Sequence, residues 1–164
     1  MNRDKINNII EKNRMNKEEE LDLSFLNLHS IPSEIFDLIH LKTLRLENNG
    51  ISEIPPQISK LSNLEYIYLR GNSIKEIPEE IAKLENLMSI DVRDNPVINP
   101  PIEIVNKNVN VIRNYFDEIQ RQGDVEKLYE AKILIVGQGG VGKTSLVRKL
   151  MSPDSGLPKY EESN

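Results

Sequence analysis

Leucine and isoleucine recur through the middle of this chain with a period of 23 residues, and the polar positions between them recur as well. LKTLRLENNGISEIPPQISKLSN (41–63) and LEYIYLRGNSIKEIPEEIAKLEN (64–86) superimpose without a gap, each reading LxxLxLxxNxI and then xxIPxxIxxL. The alternation at Leu44 and Leu46 puts both side chains on one face of a short strand. Asn49, with Asn72 and Asn95 at the same offset, turns the chain, and its amide can satisfy backbone groups that a tight turn leaves unpaired. The Ile-Pro pairs at 31/32, 54/55 and 77/78 then hold the returning segment extended, because proline fixes its own φ and biases its predecessor. Ile58 with Leu61, and Ile81 with Leu84, supply the inner face of one turn of helix. No unit buries this face alone; stacking makes the core continuous, and about three units are the usual minimum.

Counting outwards gives a degenerate first unit at 18–40, in which Glu18 replaces the first leucine and Leu26 the asparagine, as suits an end unit without an outer neighbour. The last unit starts at Leu87 and keeps register through Ile90, Val92, Asn95, Val97, Pro101 and Ile104 until Lys107 breaks it. Ile6, Ile9 and Ile10 lie at helical spacing among charges, which predicts an amphipathic helix from Arg3 to about Asn13 capping the open end. Val105, Val109, Ile112, Phe116 and Ile119 form a second helical stripe, so a helix over Glu103–Gln122 is expected to seal the far end. Gly123 is placed as its C-terminal stop, before a polar joint at Asp124–Glu130. The pattern resembles leucine-rich repeats, which implies an α/β solenoid of about four 23-residue units with helical caps.

In such a solenoid the residues between the buried leucines line a concave face. The register gives one column of Glu20, Thr43, Tyr66 and Ser89, a second of Asp22, Arg45, Tyr68 and Asp91, and a third of Ser24, Glu47, Arg70 and Arg93. Arg45, Tyr66, Tyr68, Arg70, Asp91 and Arg93 make the mixture enriched at protein–protein hot spots, so a protein partner is expected there. A solvated face laced with salt bridges is the plainer alternative.

Composition narrows the rest. The 164 residues carry a formal net charge of −5, which gives no general basic field for nucleic acid or anionic membrane. Cysteine is absent, excluding disulfides and thiolate metal sites, and His29 and His40 have no ligand spacing. The first twenty residues are polar and charged rather than a signal-peptide core, and no stretch reaches the roughly twenty apolar residues of a membrane helix. A cytoplasmic protein is the expectation.

Residues 137–144 read GQGGVGKT and match GxxxxGK[ST] in full. The apolar run Ile133–Val136 suits a buried strand before it, and Lys143–Met151 a helix after it. In that arrangement backbone N–H groups of Gly139, Gly140, Val141, Gly142, Lys143 and Thr144 converge on phosphate oxygens, with Ser145 next on the helix. Gly137 permits the sharp exit from the strand, Lys143 reaches the β and γ phosphates, and the Thr144 hydroxyl ligates Mg²⁺. Only 28 residues, Gly137–Asn164, follow that strand, whereas a nucleotide-binding sheet needs several βαβ units of about 30 residues. No DxxG and no later acidic residue for a guanine ring is present, so weak or absent nucleotide affinity is expected of these 164 residues, with no catalytic residue among them.

Repeats, an amphipathic helix and then GQGGVGKTSL, in that order, resemble the Roco family, in which the repeats precede a Ras-like Roc GTPase domain. The resemblance implies a GTP-binding parent in which Gly137, Gly142, Lys143 and Thr144 hold GTP or GDP with Mg²⁺. Hydrolysis, base reading and dimerisation through a COR domain would belong to segments after Asn164. Two alternatives remain: a free-standing interaction module with a remnant loop, and a fragment of a STAND-type ATPase. The expected division is a capping helix at 1–17, repeats at 18–107, a capping helix and linker at 108–130, and a truncated Roc-like strand-loop-helix at 131–164.

Overall fold

The computed structural model describes the backbone of residues 3–137 and the side chains of residues 3–124. Two compact units are distinguished, Met1–Glu118 and Ile119–Asn164, and all four strands lie in the first. The strands are β1 (Glu20–Asp22), β2 (Thr43–Arg45), β3 (Tyr66–Tyr68) and β4 (Ser89–Asp91). They form one parallel sheet in sequence order, with Leu21, Leu44, Ile67 and Ile90 in a single transverse row. Each strand is thus displaced from the last by one period, and the three expected columns stand in register. The central residues Leu21, Leu44 and Ile67 are almost wholly buried, with Leu23, Leu46 and Leu69 beside them.

The return path is built from the Ile-Pro pairs. Pro32, Pro55 and Pro78 are extended, and each opens a 3₁₀ turn, at Ser33–Asp37, Pro56–Lys60 and Glu79–Lys83, that buries Ile35, Ile58 or Ile81. Helix α1 (Arg3–Asn16) covers the first end and buries Ile10, with Ile6 and Ile9 packed partly against the core. It runs one turn past the expected Asn13.

The repeated asparagines reach further than their own turns. Asn72 Nδ2 donates to Leu69 O at 2.8 Å within its unit and to Leu46 O at 2.9 Å one unit back. Its Oδ1 accepts Ile51 N–H at 3.0 Å. Asn95 repeats this on Leu69 O, Val92 O and Ile74 N–H, and Asn49 on Leu23 O, Leu46 O and Leu28 N–H. These side chains stitch each unit to its predecessor. The first unit has no predecessor, which explains why Leu26 replaces the asparagine at no cost.

Immediately before that position, asparagine in three units and Leu26 in the first, every unit enters the left-handed region: Phe25 at φ 58°, Asn48 at 52°, Gly71 at 71° and Asp94 at 58°. A Cβ on Gly71 would also lie 2.6 Å from Asn48 Oδ1. Gly71→Ala is therefore expected to lower stability by about 1–2 kcal/mol, mainly from the backbone. A urea titration against the parent chain checks this, and an unchanged midpoint would contradict it.

The C-terminal expectations need correction. The helix expected over Glu103–Gln122 is two helices, α2 (Ile102–Val105) and α3 (Val109–Gly137). Pro101 and α2 occupy the place of the 3₁₀ turns in the fourth unit, so α2 is repeat and only α3 is cap. Asn108 starts α3 by accepting Val111 N–H on its side chain at 3.2 Å. Gly123 does not stop α3: it sits mid-helix, and a Cβ there would meet nothing within 4 Å. The polar joint Asp124–Glu130 and the strand Ile133–Val136 are likewise helical, and Gly137 lies within α3 as the last described residue rather than at a strand exit. A short apolar run does not distinguish strand from helix by its period. A helix closes its own hydrogen bonds, whereas a strand needs a neighbour, and none is present among the described residues.

Candidate functional site

The register aligns Tyr66 with Thr43 and Ser89, and Tyr68 with Arg45 and Asp91, and the ladder continues through Asn48 N–H to Arg70 O and Gly71 N–H to Arg93 O, so Arg45, Tyr66, Tyr68, Arg70, Asp91 and Arg93 stand on neighbouring strands and their extensions. Their side chains lie on the opposite side of the sheet from Leu44, Ile67 and their row, which face the core. Tyr66 and Tyr68 are half-buried, and Arg70 and Arg93 are exposed. The Arg45 guanidinium lies 4.6 Å from the centre of the Tyr68 ring, a cation–π contact, and its Nη2 donates to Glu47 Oε1 at 3.1 Å. Glu47 is held in turn by the Ser24 hydroxyl at 3.2 Å. Arg70 Nε bonds Asp94 Oδ2 at 2.7 Å, and Arg93 grips both oxygens of Asp91, at 2.9 and 2.7 Å. Hydrogen bonding from Arg93 holds the Asp91 carboxyl below its usual pKa, and Asp91 raises that of Arg93.

The face is therefore preorganised as well as polar. The Arg70–Asp94 pair is exposed on both sides and contributes little to stability, so an incoming group can exchange with it at small cost. Tyr66 hydroxyl points at the sulfur of Met88, 3.4 Å away, and Met88 is 62% exposed, which adds an apolar patch beside the rings. A groove of about 410 Å³ continues from Tyr68 and β4 towards Val105–Val109.

Three features escaped sequence reasoning. Asn13 in α1 is buried, donates to Glu18 O and Glu20 O at 3.0 and 2.8 Å, and meets His40 Nε2 at 3.0 Å. It covers the outer edge of β1 as the repeated asparagines cover theirs, but no periodicity points to it. Arg113 in α3 donates to Leu84 O, Glu85 O and Leu87 O. Phe25 stands 74% exposed at the end of β1.

The phosphate-loop candidates fall differently. Gly137 is helical and the last described residue, and Gly139, Gly140, Val141, Gly142, Lys143, Thr144 and Ser145 lie outside the described residues. Among the described residues, no cluster of three or more His, Asp or Glu side chains could hold a metal ion, and no helix is long and apolar enough to cross a membrane.

Residues 17–107 match the family described as a leucine-rich repeat region. The chain belongs to the leucine-rich repeat family. Its repeats share the fold of the leucine-rich repeat domain of the type III effector XopL, with a TM-score of 0.51 at 23% identity, covering 55% of this chain and 31% of that one. A leucine-rich repeat protein of Leptospira interrogans aligns with a TM-score of 0.40 at 26% identity, covering 53% and 29%. Among curated proteins, a Roc-COR-CHAT protease from an unknown prokaryotic organism is 39% identical over 57 residues. Those residues are 35% of this leucine-rich repeat chain and 5% of that relative, so the chain spans a small fraction of its length.

Proposed function

We propose that the concave face of the repeats binds a protein partner, and that Tyr68 and its arginine neighbours carry most of the affinity. The observation behind this reading is the alignment of Arg45, Tyr66, Tyr68, Arg70, Asp91 and Arg93 on one outward face, with Arg45 stacked on Tyr68. Rigid aromatic and guanidinium groups lose little entropy on binding and dominate interface energetics. Polypeptides selected against the chain from a randomised display library test it. Tyr68→Ala combined with Arg70→Ala should weaken their binding by roughly 30-fold or more, corresponding to about 2 kcal/mol, while Lys143→Ala leaves it unchanged. The reverse result removes the proposal.

For the complete protein the proposal extends to a Roco-type arrangement, in which the motif 137–144 binds GTP or GDP with Mg²⁺. The printed name of the curated relative, which contains Roc and COR, and the order of repeats before phosphate loop support this reading. Fluorescent GDP titrated into the complete protein and its Lys143→Ala variant is the test, and equal binding to both would end it.

A further inference from the structure

Phe25 is the anomaly of the solenoid. Its counterparts in the other three units are Asn48, Gly71 and Asp94, residue types that tolerate positive φ, whereas a bulky aromatic at φ 58° is strained. Strain of this kind persists where something compensates for it. The repeat ladder holds the backbone, as Phe25 N–H bonds Glu47 O just as Asn48 and Gly71 bond the next unit, but among the described residues the ring gains no packing: it is 74% exposed and belongs neither to the buried core nor to the apolar side chains packed against it.

Its surroundings indicate what it is for. Phe25 N–H bonds Glu47 O at 3.0 Å, which fixes its backbone directly after Ser24 of the third column. Ser24 precedes it, and Ser24 N–H is bonded to Asp22 Oδ1 at 2.9 Å, leaving Asp22 Oδ2 without a partner among the described residues. Nearby cations are already engaged, Lys42 by Glu19 at 2.8 Å and Arg45 by both Glu47 at 3.1 Å and Glu20 at 4.0 Å, while Asp22 stays exposed. This end of the face is therefore aromatic and net negative. The same face already displays the corresponding complex, with Arg45 stacked on Tyr68 and bonded to Glu47.

We propose that Phe25 and Asp22 form a seat for an arginine side chain of the partner, the guanidinium stacking on the ring and pairing with the carboxylate. The proposal rests on the concave-face reading and adds the chemistry of the partner, a basic segment crossing the first two strands.

The test uses the full chain and peptides selected against it from a randomised twelve-residue display library, with affinities read by fluorescence anisotropy and stabilities by urea titration. The recovered peptides should share an arginine, and replacing it with alanine should weaken binding at least tenfold. Phe25→Asn should cause a similar loss while raising the denaturation midpoint, because asparagine relieves the strain. Asp22→Asn should weaken binding severalfold and flatten its salt dependence without moving the midpoint. Peptides without a basic residue, unchanged affinity in Phe25→Asn and Asp22→Asn, or a lowered midpoint in Phe25→Asn would each overturn the proposal. Loss of binding in Tyr68→Ala/Arg70→Ala but not in Phe25→Asn would leave the concave face standing and remove only this seat. Recovery of no peptide would remove both.

Discussion

Asn72→Ala is expected to remove about 2–4 kcal/mol of folding stability, as much as truncating a core leucine of the repeats. The side chain is 7% exposed and serves three backbone groups: Ile51 N–H, Leu46 O and Leu69 O. Alanine orphans the N–H outright. The carbonyls suffer less, since Leu46 O keeps Asn49 at 3.0 Å and Leu69 O keeps Asn95 at 2.9 Å. Against a typical domain stability of roughly 5–15 kcal/mol, that loss is a large fraction. Asn72→Asp should cost as much, because an ionised carboxylate accepts from Ile51 but cannot donate to either carbonyl. Urea titration read by circular dichroism decides, and a loss below about 1 kcal/mol in both variants would disprove the stitching role.

A chain ended at residue 108 should lose cooperative unfolding, whereas one ended at residue 124 should keep it. The difference between them is the first half of α3, which buries Val109 and Ile112 at 3% and 0% exposure and half-buries Phe116. At about 1.5–3 kcal/mol for each fully buried aliphatic side chain, the cap supplies roughly 4–6 kcal/mol. Arg113 adds hydrogen bonds to three carbonyls leading into β4. Without it the last unit presents its core to water, which end units of repeat arrays do not tolerate. Equal melting midpoints for the two truncations would show that α3 is dispensable.

The solenoid was legible because its period is uninterrupted: once Leu44 and Ile67 share an offset, the register of β2 and β3, and so the columns carrying Arg45, Tyr66 and Tyr68, follow. Where the period ends, legibility ends. The stripe from Val105 to Ile119 matched one helix, but Val105 closes the fourth repeat and Asn108 begins the next helix, and a 3.6-residue spacing survives that break unnoticed. The inner half of the stripe is buried and Ile119 is 47% exposed, so the apolar pattern outran the packing. Gly123 read as a stop because glycine disfavours helix, yet its cost of about 1 kcal/mol is small against a helix of 29 residues. On the face itself, composition identified the arginines but not their partners; the pairing of Arg70 with Asp94 crosses units and leaves no mark in either unit alone.

The asparagine bonds have a consequence for how such a chain can change over generations. Each reaches back by the same two offsets, 21 and 26 residues, wherever it occurs. Duplicating or deleting a whole 23-residue module between two others leaves every offset intact, so the array can lengthen or shorten by recombination without redesign. A single residue inserted between Ile51 and Asn72 changes both offsets and must be looped out on the return path for the bonds to survive. Copy number is free to drift, whereas any change in the length of a module has to be absorbed between its proline and its next strand.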